Sequence, residues 1–333
     1  MPQTIKFGTD GWRAVIGEDF TFDNVRACAQ GVAEYLIDKS TASQGLIIGY
    51  DTRFASEDFA AAVAEVIAGN GIKAYLNPKA APTPVISYAI VVKKAAGAVI
   101  ITASHNPGIW NGFKYKPEYA GSASPEVIAE LESRIQKVLS SGKIKRIPLS
   151  DGIKQGLIEY YDPQPVYLKH IAELVDIERL RRAGLKIAVD SMYGAGAGYF
   201  KALLSGGTTE VVEINAERNP LFPGIQPEPI AQHLTRLSKM IPEIKADVGL
   251  ATDGDSDRIG VMDEKGIFIT QLQVFALLAL YLLEIRKEKG ALVKSVTTTD
   301  MIYKLGKLYS VPVFETGVGF KYLGPKMMAE NAL

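Results

Sequence analysis

Three times along the chain an apolar, β-rich run arrives at an aspartate and a helical pattern follows. Leu46 to Tyr50 leads to Asp51 and an Ala- and Val-rich helix over 57–69. Lys186 to Asp190 leads through a Gly-rich turn to an apolar helix near 199–204, and Val293 to Thr298 leads to Asp300 and a further helix. Buried strands alternating with helices require α/β layering, with mixed, largely parallel sheets covered by helices. The three aspartates are 139 and 110 positions apart, too far for a solenoid repeat, so the pattern predicts tandem domains of similar topology. The polar stretch 140–156 and the turn at Glu264–Gly266 mark the joints. They divide the chain near 158 and 263 into units of 1–158, 159–263 and 264–333. The last, about 70 residues long, is short for an independent α/β unit, which leads to the expectation of a longer parent protein.

With 37 basic and 37 acidic residues, the chain has no global pull toward nucleic acid or anionic membrane, so any anion site must be local. It carries neither a signal-peptide pattern nor an apolar run approaching about 18 residues, and a cytoplasmic enzyme is expected. Cys28 lies in an apolar-periodic segment and reads as a buried side chain. His170 and His233 fall in helical patterns and read as structural.

The strand over 95–102 ends in Thr102-Ala103-Ser104-His105-Asn106-Pro107, followed by a loop through Gly108 to Lys114. Ligands of open α/β sheets collect at the carboxyl ends of strands. Small neighbours leave the Ser104 hydroxyl accessible, and His105 and Lys114 are placed to donate to an anion there. The alternative is an ordinary polar turn in which Ser104 and Asn106 satisfy backbone groups ahead of Pro107. A hydrolase triad is less attractive, because no Gly-x-Ser-x-Gly elbow surrounds Ser104 and the adjacent His105 is badly placed in sequence to be its base.

A second apolar strand, 246–251, runs into Thr252-Asp253-Gly254-Asp255-Ser256-Asp257-Arg258 and resumes over 259–262. Three alternating carboxylates converge only around a positive charge, and oxygen donors of this kind select a hard cation, Mg²⁺ first. An EF-hand is excluded because Arg258 occupies the sharp-turn glycine position and both flanks read as strands. A solvated acidic hairpin turn stays open. Arg258 is suited to tie down a carboxylate or to meet a phosphate.

These segments resemble the α-D-phosphohexomutases, the family of phosphoglucomutase and phosphomannomutase. Phe7-Gly8-Thr9-Asp10-Gly11-Trp12-Arg13 is similar to the family's opening motif, 102–107 to its phosphoserine loop, 111–114 to the stretch that follows, and 253–258 to its metal loop. Glu315-Thr316-Gly317-Val318-Gly319-Phe320-Lys321 is similar to a third-domain segment of the phosphoglucomutase branch. The resemblance implies a mutase that exchanges hexose 1- and 6-phosphates through phosphorylated Ser104 and a hexose 1,6-bisphosphate intermediate, which also serves as activator. It implies one Mg²⁺ held by Ser104, Asp253, Asp255 and Asp257, and proton transfer by Lys114. Arg13 and His105 would act on phosphate oxygens, and Asn106, Arg258 and Lys321 would bind substrate. Glucose is the favoured hexose and mannose the next; glucosamine and a non-catalytic sugar-phosphate binding protein are the alternatives. Partners are small hexose phosphates, with neither nucleic acid nor membrane, in a monomer or homodimer. The family's later sugar-specificity loop and its fourth, phosphate-binding domain have no counterpart in the sequence, which implies a truncated chain of weak activity.

Overall fold

The computed structural model describes residues 5–8 and 10–333; Thr9, inside the opening motif, lies outside the described residues. The first layer contains β1 (Trp12–Val15), α1 (Phe22–Asp38), β2 (Leu46–Tyr50), α2 (Ser56–Gly69), β3 (Ala74–Leu76), α3 (Thr83–Lys93), β4 (Gly97–Ile101), β5 (Trp110–Pro117), α4 (Pro125–Ser141), α5 (Leu149–Lys154) and β6 (Ile158–Tyr160). Its six strands run in the order β1-β5-β4-β2-β3-β6. The four from β4 to β6 are parallel, and β5 and β1 add antiparallel edges. Every residue of β2 and β4 is buried, as expected of strands with helices on both faces.

The second layer follows with α6 (Gln164–Leu174), α7 (Ile177–Arg181), β7 (Lys186–Asp190), α8 (Tyr199–Leu204), β8 (Glu210–Ile214), α9 (Thr235–Ile244), β9 (Val248–Thr252), β10 (Ile259–Met262) and β11 (Phe268–Ile269). The strand order is β11-β10-β9-β7-β8, with β7, β8 and β9 parallel and the other two antiparallel. A third unit holds α10 (Gln271–Leu280), β12 (Leu292–Ser295), α11 (Met301–Tyr309), β13 (Val313–Thr316) and α12 (Phe320–Glu330), with β12 and β13 paired in parallel. A capping box between Thr270 and Gln273 fixes the start of α10. No helix among the described residues is long and apolar enough to cross a membrane.

The strand-to-aspartate repeat has a common geometry in its first two copies. Asp51 accepts a hydrogen bond from the Arg53 amide at 3.0 Å, and Asp190 accepts one from the Met192 amide at 2.9 Å. Each carboxylate turns the chain just past a buried parallel strand. Asp300 differs, because β12 ends at Ser295 and the Asp300 side chain is 90% exposed.

The segment expected to be loop up to Lys114 contains β5, at eight residues the longest strand of its sheet. The pattern obscured it because Asn111, Lys114 and Lys116 are buried despite being polar. Phe113 and Tyr115 face the core, and the alternate positions, Gly112, Lys114 and Lys116, face away from it. In the third unit α10 runs on into one wider turn, Tyr281–Ile285.

Candidate active site

Ser104 follows β4 in a left-handed backbone conformation, φ +54°, which turns its side chain out from the end of the sheet. The loop is held from beneath. Arg53, fully buried, donates to the carbonyl oxygens of Ser104 (2.7 Å), Asn106 (2.6 Å), Pro107 (2.9 Å) and Trp110 (3.0 Å), while its Nε meets Asp51 at 3.1 Å. Thr102 reinforces this base, donating to Asp51 at 2.6 Å and accepting from the Ser104 amide at 2.8 Å.

The carboxylate loop joins β9 to β10 and reaches across from the second sheet. Ser104 Oγ donates to Asp253 Oδ2 at 2.9 Å, linking residues 149 positions apart. The loops approach so closely that a Cβ on Gly254 would sit 2.5 Å from the Ser104 carbonyl oxygen. Thr83 at the start of α3 fixes Asp255 twice, through its amide to the Asp255 carbonyl (2.8 Å) and its hydroxyl to Oδ2 (2.7 Å).

Asp253, Asp255 and Asp257 each offer a carboxylate oxygen, all within 4.8 Å of one another. Burial, and then repulsion from Asp255 and Asp257, pushes Asp253 well above the usual carboxylate range. Asp257 moves upward through burial and repulsion from Asp255. Burial also works against the charge of Asp255, but Lys114 outweighs it and holds that carboxyl below its ordinary value. Asp255 Oδ1 is buried without a hydrogen-bond partner. A hard divalent cation fits this donor set, because it would satisfy the orphaned oxygen and relieve the repulsion among the three carboxylates.

Lys114 projects from β5 into the same cluster. Its Nζ lies 2.7 Å from Asp255, 2.9 Å from Asp10 and 3.2 Å from Asp257. Burial disfavours its charge, yet Asp255, Asp10 and Asp257 together raise it well above the usual lysine range. On the other side of Ser104 stand Arg13, Arg258 and His105. Arg13, on β1, donates to Asn106 Oδ1 at 2.8 Å, and His105 Nδ1 is 3.4 Å from Ser104 Oγ. Burial, then Arg258 and Arg13, drives His105 down to about 4. An anion carried on Ser104 would meet these groups directly.

A cavity of about 520 Å³ opens over Ser104, bounded by Arg13, Lys114, Asp257 and Arg258 and by Val318–Phe320 of the third unit. Lys321 instead lines an adjoining cavity of about 250 Å³ with Phe7, Gly8 and Glu132. His170 stacks on Tyr88 at 4.5 Å, and Cys28 is buried, with its thiol pushed up by burial. The sequence reading missed Arg53, Thr83, Asp10 and Lys116. Arg53 had a signal, since an Asp-x-Arg triplet directly after a buried strand places two charges where each needs the other. Thr83 had none.

Three family descriptions match the chain in succession: Phosphoglucomutase/phosphomannomutase, alpha/beta/alpha domain I over residues 4–141, domain II over 165–266 and domain III over 271–333. A protein provisionally named phosphoglucosamine mutase from Thermococcus gammatolerans is 32% identical over 299 residues, which cover 90% of this chain and 62% of that protein. A phosphoglucomutase from Komagataeibacter xylinus is 27% identical, with 96% of this chain and 61% of that protein covered. The solved structure of a provisionally named phosphomannomutase from Thermus thermophilus aligns with a TM-score of 0.89 at 32% identity, covering 99% of this chain and 72% of that one. The chain thus spans about three fifths of the length of these curated relatives.

Proposed function

Because the chain belongs to the phosphoglucomutase/phosphomannomutase family, we propose that it forms the phosphoryl-donating part of a phosphohexomutase, with Ser104 as the residue that carries the phosphoryl group. The observation that carries this reading is the 2.9 Å contact between Ser104 Oγ and Asp253, which unites the serine loop and the acidic loop at the ends of two separate sheets. Three units enclose the site, the third through Val318–Phe320; they meet a few residues beyond 158 and 263, because β6 completes the first sheet and β11 the second.

In the proposed cycle the seryl O–P bond breaks as a bond from phosphorus to a sugar hydroxyl oxygen forms, giving a hexose 1,6-bisphosphate. The sugar hydroxyl loses a proton and Ser104 Oγ gains one. The other phosphoryl group then returns to Ser104 after the bisphosphate has turned in the cleft. Phosphoryl transfer depends chiefly on in-line positioning and charge neutralisation. Arg53 positions the loop by holding four of its carbonyls. Arg13, His105 and Arg258 surround the phosphoryl oxygens, and Asn106 keeps Arg13 in place. Lys114 exchanges the sugar proton. Its ammonium is held here by Asp255, Asp10 and Asp257, so action as a base requires that this hold be loosened when the site is loaded. Asp253, Asp255, Asp257 and Ser104 would hold Mg²⁺, which would supply Lewis-acid neutralisation of phosphoryl charge.

Glucose is the first choice of hexose, from the likeness of 315–321 to the phosphoglucomutase branch. Glucosamine is the second reading, favoured by the identity to the Thermococcus protein. A coupled assay of the complete gene product with the 1-phosphates of glucose, mannose and glucosamine separates them. Phosphopeptide mass spectrometry tests the core of the proposal: phosphate is expected on Ser104, and turnover is expected to vanish in Ser104→Ala. Full turnover in that variant would refute it.

A further inference from the structure

A second cavity, of about 710 Å³, lies in the second layer at the carboxyl ends of β7 and β8, apart from the serine cleft. Its floor is Asp190, 1% exposed, which accepts from Asn215 Nδ2 at 2.9 Å. Asn215 Oδ1 in turn accepts from Arg236 at 2.6 Å. This chain fixes one nitrogen of the guanidinium and leaves the rest of the fork free of other hydrogen bonds among the described residues. Lys239, three residues further along α9, borders the same cavity.

The placement of these cations is electrostatically adverse. Arg236 and Lys239 occupy the N-terminal half of α9, whose first turn has no acidic residue, so two positive charges stand near the positive end of the helix dipole. They are also neighbours at i, i+3, where like charges repel. Neither makes an ion pair with a described residue, although Arg218 nearby in sequence is paired with Glu57. Two mutually repelling cations at the mouth of a cavity, of which only Arg236 is drawn to a carboxylate, Asp190, and that across Asn215, are matched by an anion with several acceptor oxygens. Asp190 and Asn215 below them are hydrogen-bonding groups suited to hydroxyls or an amide, not to a second negative charge.

We propose that this cavity is a second ligand site, which takes a small phosphomonoester with its phosphate on Arg236 and Lys239 and its polar body toward Asp190 and Asn215. The site stands independently of the reading given to the serine cleft. Its wall nevertheless meets that cleft, because Gln226, which lines the cavity, donates to the His105 carbonyl at 3.1 Å. Phe222 on the same loop covers the Arg53 guanidinium at 5.1 Å.

Hydrogen-exchange mass spectrometry of the protein, titrated separately with inorganic phosphate and glucose 6-phosphate, tests the site. Each probe is expected to protect peptides within 219–239, independently of any protection at 102–114 and 253–258. In the double variant Arg236→Gln, Lys239→Gln the midpoint for 219–239 is expected to rise about tenfold or more, from the loss of two charge-assisted contacts, while the serine-cleft peptides respond as in the wild type. Both side chains are at least partly exposed, and an unchanged thermal melt of the variant would establish that it is folded. Protection confined to the serine cleft, or an unchanged 219–239 midpoint in the folded double variant, would overturn the proposal.

Discussion

The carbonyl oxygen of Ser104 accepts a 2.7 Å hydrogen bond from Arg53, a guanidinium with no exposed surface. Arg53 satisfies four carbonyls of the serine loop at once and is itself neutralised by Asp51. Arg53→Ala would strip the loop carbonyls of this shared donor and leave the buried Asp51 carboxylate without its counter-charge, a loss of about 3–5 kcal/mol. Arg53→Lys, which keeps the charge but not the fork, is expected to fold, with a lower kcat and little change in KM. Urea melts and steady-state kinetics check both expectations; an equal rise in KM with unchanged kcat would count against a positioning role.

Metal affinity should depend on proton release. Burial, and then repulsion from Asp255 and Asp257, shifts Asp253 upward, so protons compete with Mg²⁺ for this carboxylate and binding is expected to tighten as pH rises. Calorimetry in buffers of different ionisation enthalpy measures the protons released. Mg²⁺ at about 100 times its Kd should stabilise the fold by about 2.7 kcal/mol. Asp255→Asn should abolish most of that gain, and a melting temperature insensitive to Mg²⁺ would remove the case for the site.

His105 contributes a pH dependence of the opposite sign to that of a paired histidine. Its folded value, about 4, lies below the ordinary 6.5, so the unfolded chain binds more protons between those limits. Stability should therefore be intact above about pH 6.5 and should decline as pH falls toward 4. His105→Asn is expected to flatten this limb in chemical denaturation at pH 7.5 and pH 5. Phosphate on Ser104 should flatten it too, by supporting the imidazolium.

Gly254 sits where a methyl group would intrude to 2.5 Å from the Ser104 carbonyl. Gly254→Ala should cost about 1–3 kcal/mol if the loops yield. It should lower activity more than stability alone explains, because the displaced pair is Ser104 and Asp253. Comparing residual turnover with the folded fraction distinguishes the two effects.

Much of this site was legible before any coordinates. Ser104, Asp253, Asp255, Asp257 and Arg258 declare themselves because polar residues follow directly on apolar strands, a contrast of neighbours in the chain. β5 was not legible, because the burial of Asn111, Lys114 and Lys116 serves contacts made across the fold. Lys114 meets Asp255 and Asp257 141 and 143 positions away, and local periodicity holds no record of such pairing. Thr83 is hidden for the same reason: it begins an ordinary helix, and only Asp255, 172 positions distant, gives its hydroxyl a purpose. The strand-to-aspartate pattern was sound for Asp51 and Asp190, where a tight turn follows each strand. It lapsed at Asp300, where several residues intervene.

The hydroxyl of Thr52 in the first layer donates to the Tyr193 carbonyl in the second at 2.7 Å, with both groups buried. Such a stitch belongs to neither half of the molecule, and the alignment of Ser104 with Asp253 is likewise a property of the seam. Loosening or tightening the seam would therefore shift that alignment while leaving both hydrophobic interiors untouched.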